Sequence, residues 1–290
     1  MKFIRKAAGL DVDVVCMDLE DGVAMDAKSE ARETIREALA TLDFGRSDIA
    51  VRMNSPSLDK ELAREDIESI LSWEVLPENL CVPKVDTLEQ LEWIFDQADS
   101  VLPEEKKSGN AENKIALTIM CESPLGVLNL PSILERSIQP DAPLEIQAVI
   151  LGGDDYAAEA GAVRSRANTE LLMARQTVVA CCRAYGVQPL DIVHIDLEST
   201  DTLAEEARQG ADWGFVGKQI IHPSQIEPVQ QAFSPSKEEV EAARELLEAY
   251  RLHYEGEGGE GGSDEGGSSR RGAFTFKGKM IDTPTVLVAQ

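Results

Sequence analysis

Basic residues, aromatic residues and histidine are all scarce in this chain. Its 28 lysines and arginines face 53 aspartates and glutamates, a net charge of -25. That balance excludes general binding to nucleic acid or to an anionic membrane, because a polyanionic ligand would need a local basic patch. No apolar run approaches the roughly 20 residues of a membrane span, and neither a secretory signal nor a full transit peptide is visible. The five cysteines, Cys16, Cys81, Cys121, Cys181 and Cys182, carry no CxxC or metal-ligand spacing. Lying inside apolar segments, they read as reduced, buried thiols of an intracellular protein. Three histidines form no Ser/His/Asp or HxxxH arrangement.

Hydrophobic residues make up 43% of the chain and aromatics only 5%, so alanine and β-branched residues carry much of the apolar content. That mix suits strands covered by helices. Strand candidates recur at 12–18, 49–54, 79–85, 114–122, 148–153, 190–196 and 213–221. Helical periodicity fills 26–41, 57–72, 87–98, 124–137, 168–185 and 199–209. Such alternation predicts a parallel α/β sheet, and seven strands fall one short of a TIM (β/α)8 barrel. The chain opens with MKFIRKAAGLD, which reads as the helix after an absent first strand.

The expected organisation is a barrel over 1–233, a C-terminal amphipathic helix over 234–255, a flexible Gly/acid-rich loop over 256–271 and a lid segment over 272–290. The tract EGEGGEGGSDEGGSSRRG cannot bury a core. The segment after it regains aromatic and β-branched residues and is expected to be ordered again, as a lid.

Three strand-like runs end in carboxylates: VDVVCMDLED at 12–21, IALTIMCES at 115–123 and AVILGGDD at 148–155. In a parallel α/β protein the chemistry gathers at the carboxyl ends of strands, so Asp18, Glu20, Asp21, Glu122, Asp154 and Asp155 are candidates to converge on one metal. The competing reading makes Glu122 and Asp155 helix caps, before Pro124 and before YAAEAG. Glu20 and Asp21 then become exposed turn acids.

In this order, VVCMDLEDGVAMDAKSEAR, VRMNS, VPKV, CESPLGVLNL, GGDDYAAEAG, GKQIIHPSQI and GKMIDTP closely resemble the citrate lyase β-subunit-like family, which includes malyl-CoA and citramalyl-CoA lyases. The resemblance covers nearly the whole chain. It implies a barrel with a C-terminal lid, a homotrimer whose lid reaches the neighbouring subunit, Mg²⁺ as cofactor and an acyl-CoA thioester as substrate. Glu122 and Asp155 match the two magnesium ligands, a donor set suited to a hard cation that keeps several waters. The family pattern selects Asp155 over Asp154. Glu20 and Asp21 resemble the acidic turn that orients metal-bound water, whereas Asp18 reads as structural.

The same resemblance gives Arg52 the active-site arginine's place, where a fixed fork of donors stabilises a developing oxyanion. A surface ion pair is the alternative. Lys84 projects from a strand end and is expected only to shape the field of the site. Lys2 and Lys6, clustered with Arg5, match lysines that contact the CoA portion. Ile221 and His222 match positions with backbone contacts to substrate, His222 being a hydrogen-bonded structural residue rather than a base. Asp282 matches the aspartate that exchanges the proton at the acetyl carbon from an adjacent subunit.

The implied reaction is Mg²⁺-dependent cleavage of (3S)-citramalyl-CoA to acetyl-CoA and pyruvate, or of malyl-CoA to acetyl-CoA and glyoxylate, with reverse condensation possible. Two alternatives stand beside it: a citrate lyase β subunit acting on citryl groups of an acyl carrier protein, and a noncatalytic CoA- or metal-binding barrel. The expected location is the mitochondrial matrix for a eukaryotic source and the cytoplasm for a bacterial one.

Overall fold

Seven segments pair side by side in parallel: β1 (Val14–Asp18), β2 (Asp48–Arg52), β3 (Asn79–Val82), β4 (Ala116–Cys121), β5 (Glu145–Leu151), β6 (Gln188–Asp191) and β7 (Gly217–Lys218). The computed structural model describes residues 1–103, 106, 115–255, 274–281 and 285–286. Sheet order follows chain order from β1 to β7, as successive crossovers of one hand require. Gln230 Nε2 donates to Asp11 O at 2.7 Å, so the segment after β7 reaches the one before β1. The sheet curls into an incomplete TIM-barrel-like half-barrel.

Central β4 buries all six side chains, as a continuous apolar run covered on both faces should. Edge strand β1 instead alternates: Val15 and Met17 are buried, while Val14 and Cys16 are exposed. The expectation of uniformly buried thiols therefore fails at Cys16, which lies on the open face of an edge strand. Cys181 is only half-buried, whereas Cys81, Cys121 and Cys182 are buried; all five are free.

The helices are α1 (Lys2–Ala7), α2 (Lys28–Thr41), α3 (Lys60–Leu71), α4 (Leu88–Val101), α5 (Pro124–Ser137), α6 (Gly153–Glu159), α7 (Leu172–Tyr185), α8 (Thr200–Asp212) and α9 (Ile226–Phe233). Local chemistry starts several of them. Asp59 accepts from Glu61 N and Leu62 N ahead of α3, Thr87 and Gln90 form a reciprocal capping box at α4, and Ser123 accepts from Gly126 N at 2.8 Å ahead of α5. Each such cap is worth about 1 kcal/mol. Ile35, Ala38 and Leu39 of α2, Ile67 and Ile70 of α3 and Leu91, Ile94 and Phe95 of α4 join the strand side chains in one core.

Boundaries differ from the sequence reading in three places. The last two strands are shorter than expected: β6 ends at Asp191 and β7 keeps two residues, with a 3-10 turn over Pro223–Gln225 four residues after it. Helix α6 starts at Gly153 rather than at Tyr156, which places Asp154 and Asp155 in its first turn. Helix α9 has no counterpart among the expected elements.

Behind β6, Arg175 and Asp191 form an ion pair at 2.6 Å with both side chains fully buried. The guanidinium also donates to Gln209 Oε1 and lies 4.4 Å from the Trp213 ring centroid. Gly210 makes room: a β-carbon there would stand 2.4 Å from Asp191 Oδ2.

Residues Met1–Phe233 form one compact unit and Ser234–Gln290 a second. The second contains α10 (Lys237–Glu255), together with β8 (Phe274–Phe276) and β9 (Lys279–Ile281) paired antiparallel. Lys277 and Gly278 both have positive φ, the condition for a tight two-residue hairpin turn. Leu246, Ile281 and Val286 form its small core. The expected Gly/acid loop and Asp282 lie outside the described residues. Among those described, no helix is long and apolar enough to cross a membrane.

Candidate active site

Parallel strands deliver their C-terminal residues to one end of the sheet. At β1 that residue is Asp18, whose carboxylate accepts from Glu20 N at 3.0 Å and Gly22 N at 2.8 Å and so closes the LED turn. Arg52, the last residue of β2 and Asp18's register partner, donates from Nε to Asp18 Oδ1 at 2.6 Å and from Nη2 to Oδ2 at 2.9 Å. Its Nη1 lies 2.8 Å from Glu20 Oε2, an ion contact whose angle makes no hydrogen bond; both Glu20 oxygens are buried without a hydrogen-bond partner. Lys28, itself buried, staples the turn from below by donating to Leu19 O, Glu20 O and Asn54 Oδ1.

A second cluster belongs to the next three strands. Glu122 follows β4 and is 5% exposed; Asp155 sits in the first turn of α6, after β5. Lys84, just past β3, reaches both: its Nζ lies 2.7 Å from Asp155 Oδ1 and 3.3 Å from Glu122 Oε2. Neither carboxylate acts as a cap. Ser123 caps α5, and the N-cap position of α6 is Gly152, with no side-chain cap. Asp154 is engaged elsewhere, accepting from Arg164 Nη1 at 2.7 Å.

Electrostatics separate these groups. Burial pushes Glu20 up to about 7 despite Arg52 nearby. Burial also raises Glu122, with Asp155 adding to the effect and Lys84 opposing it. For Asp18, burial acts upward but the Arg52 guanidinium and two backbone N–H groups outweigh it, leaving the carboxyl below its usual range. Lys84 is held protonated above the normal lysine range, burial being outweighed by Asp155 and Glu122.

Other sequence-predicted positions lie outside these two clusters. Lys2 and Lys6 are exposed on α1. Ile221 is exposed, and its N–H is taken by Gln225 Oε1 at 2.9 Å. His222 Nδ1 accepts from Ser224 N at 3.2 Å and caps the 3-10 turn. Asp21 is exposed. Sequence reasoning missed the bridging position of Lys84, the grip of Asp18 on Arg52 and the Lys28 staple. The VPKV and VRMNS motifs contain two of these signals, but a motif does not say which strand ends face each other.

Among the described residues no three His, Cys, Asp or Glu side chains converge as a metal cage. A two-carboxylate site still suits Mg²⁺, which commonly takes one or two carboxylates and keeps water on its other positions. Glu122 and Asp155 already share one cation, the Lys84 ammonium, and a β-carbon at Gly152 would stand 2.5 Å from Glu122 Oε1. The donor set and the glycine-cleared space beside it fit a small hard cation.

Acids, a lysine and an arginine gathered at the C-terminal ends of parallel strands define a barrel-type α/β enzyme. A family model described as HpcH/HpaI aldolase/citrate lyase matches residues 1–223. Human mitochondrial citramalyl-CoA lyase is 38% identical over 291 residues, covering 100% of this chain and 80% of the human protein. The citrate lyase subunit beta of Escherichia coli strain K12 is 30% identical over 274 residues, 94% of this chain and 82% of the bacterial one. The crystal structure of CitE from Mycobacterium tuberculosis with magnesium, acetoacetate and coenzyme A aligns with a TM-score of 0.70 at 28% identity, covering 98% of this chain and 88% of that one. This protein belongs to the HpcH/HpaI aldolase/citrate lyase family, as an enzyme of its carbon–carbon lyase type.

Proposed function

We propose that the protein cleaves citramalyl-CoA to acetyl-CoA and pyruvate, takes malyl-CoA as a second substrate with glyoxylate as product, and catalyses the reverse condensations. The observation that carries this reading is the pair of strand-end clusters, Glu122–Lys84–Asp155 and Asp18–Arg52–Glu20. The identity to a citramalyl-CoA lyase over the full chain supports the substrate class, as does a related structure that holds magnesium and coenzyme A.

Glu122 and Asp155 are the residues that would hold Mg²⁺, which when bound supplies a Lewis acid for the hydroxyl and carboxylate of the substrate's acid end. The protein's own groups do the rest. In cleavage the hydroxyl proton passes to water, the oxygen's freed pair forms the carbonyl of the oxo acid, and the α–β carbon bond breaks with its pair left on the acetyl thioester as an enolate. Of the five N–H donors of a guanidinium, Asp18 engages two of Arg52's. In this reading the arginine's remaining donors, of which Nη1 lies 2.8 Å from Glu20 Oε2, turn to the enolate oxygen as it gains charge in the transition state. Asp282 protonates the acetyl carbon, and in condensation removes that proton. Lys2 and Lys6 offer point charges to the CoA phosphates. Glu20 and Asp21 orient water at the acid end.

Pyruvate and glyoxylate differ by one methyl group, a discrimination worth roughly 1–3 kcal/mol. Both substrates are therefore expected to turn over. The assembly proposed is a homotrimer in which Asp282 serves a neighbouring subunit. Its location follows the source, as with the mitochondrial human and the bacterial relatives: mitochondrial matrix or cytoplasm. The test is acetyl-CoA release from both thioesters by the purified chain, with Mg²⁺ and with chelator, beside Asp282→Asn. Metal-dependent turnover lost in the variant is expected; metal-independent or absent turnover in a folded, Mg²⁺-binding protein overturns the reading. Turnover confined to citryl groups on an acyl carrier protein would instead mark a citrate lyase β subunit, as the similarity to the Escherichia coli protein allows.

A further inference from the structure

Lys84 is the one described side chain that touches both Glu122 and Asp155 across strand ends, and its backbone is unusual. Its φ of 56° lies in the left-handed region, which a residue with a β-carbon occupies under strain. Strain retained at a strand end needs surroundings that hold it, and here the ammonium lies between two carboxylates, 2.7 Å from Asp155 Oδ1 and 3.3 Å from Glu122 Oε2. The Lys84 side chain is 19% exposed and that of Glu122 6%.

Two carboxylates gathered at one end of the sheet, Glu122 buried and Asp155 54% exposed, repel unless a cation sits with them. Arg52 is committed to Asp18 and Glu20, so Lys84 is the cation that stands with this pair. The oxygens it holds belong to the same two groups a divalent ion would use, at the close contact of about 2.0–2.1 Å that Mg²⁺ demands. An ammonium and a divalent cation packed against the same two carboxylates repel each other. A lysine, with its point charge on a flexible four-carbon stem, can withdraw; an arginine's rigid fork is less free to do so.

Resting on the assignment of Glu122 and Asp155 as magnesium ligands, we infer that Lys84 is a built-in placeholder cation. Its ammonium holds the two carboxylates together in the metal-free protein and leaves them when the metal enters. Lys84 is thus a positioning residue whose release opposes metal binding.

The experiment combines two readouts on the full chain: Mg²⁺ binding by titration calorimetry for the wild type, Lys84→Met and Lys84→Arg, and acylation of wild-type lysines by acetic anhydride with and without saturating Mg²⁺. Lys84→Met is expected to bind Mg²⁺ about tenfold more tightly or better, and Lys84→Arg no more tightly than the wild type. Wild-type Lys84 should be acylated several-fold faster once Mg²⁺ is present, relative to the exposed Lys60. Unchanged or slower Lys84 acylation alongside tight Mg²⁺ binding overturns the displacement, even if Lys84→Met binds better, because loss of charge alone would then explain the affinity. That arm needs no variant to fold. Absence of Mg²⁺ binding in all three proteins overturns the magnesium assignment itself, and this inference with it.

Discussion

A β-carbon placed on Gly152 would stand 2.5 Å from Oε1 of Glu122 and 2.6 Å from its Cγ. Gly152 has an ordinary negative φ of -83°, so its lack of a side chain serves space and not backbone freedom. Its N–H continues the strand pairing by donating to Cys121 O at 3.0 Å, which fixes the distance between the ends of β4 and β5. Gly152→Ala should therefore displace the Glu122 carboxylate. Overpacking of this kind costs about 1–3 kcal/mol of stability. The expected result is Mg²⁺ affinity lowered tenfold or more, with the fold retained, as read by titration calorimetry beside a denaturant melt.

Arg52 tests orientation against charge. Arg52→Lys keeps the positive charge but cannot span both Asp18 oxygens and still present a fork to substrate. Loss of one oxyanion donor typically costs 10²–10³ in kcat, and a fall within about that range is expected, with KM changed much less. Asp18→Asn should leave Arg52 charged yet weakly anchored, with a smaller fall in kcat of about tenfold. Equal losses in the two variants would mean that Asp18 does more than hold the arginine.

Glu20 gives the protein a pH dependence whose sign is fixed. Burial raises its carboxyl from 4.5 to about 7, so between those values the folded state binds the proton that the unfolded chain has lost. Its contribution to stability is fully present below about 4.5 and declines as pH rises toward 7. With solvent screening at the open strand ends allowed for, the loss is on the order of 1–2 kcal/mol. Glu20→Gln should melt higher than the wild type at pH 8 and at the same temperature near pH 4. A melting difference independent of pH would show that Glu20 stays ionised in the fold.

Much of this arrangement is legible in the sequence, for a physical reason. Strand–helix alternation gives the parallel sheet, and parallel strands put Asp18, Arg52 and Glu122 at one end without further information. What the chain order does not carry is lateral geometry. Asp18 reads as a structural turn acid and Arg52 as a substrate group, yet each constrains the other because their strands share a register. Lys84 falls inside the strand expected over 79–85, but the strand ends at Val82 and the left-handed backbone at Lys84, which no strand pattern carries, sets its position. The strand expected over 213–221 is present but keeps only two residues as β7, and α9 has no counterpart in the sequence reading.

The Arg175–Asp191 pair should separate stability from chemistry. Both side chains are fully buried, and the arginine is further held by Gln209 and the Trp213 ring. Breaking such a pair from one side leaves an uncompensated charge in the core and costs about 3–5 kcal/mol. Asp191→Asn or Arg175→Met should each lower the denaturation midpoint by a corresponding amount. Replacing both by apolar residues of similar volume should recover most of the loss, because neither charge is then stranded. Neither residue touches Glu122, Asp155, Lys84 or Arg52 in the structure, so Mg²⁺ affinity of the folded protein should stay within about twofold of the wild type. Urea melts of the two single variants and the double variant, each paired with a Mg²⁺ titration, measure both quantities. A double variant as unstable as either single one would mean that the pair's hydrogen bonds to its neighbours, and not the stranded charge, set the cost.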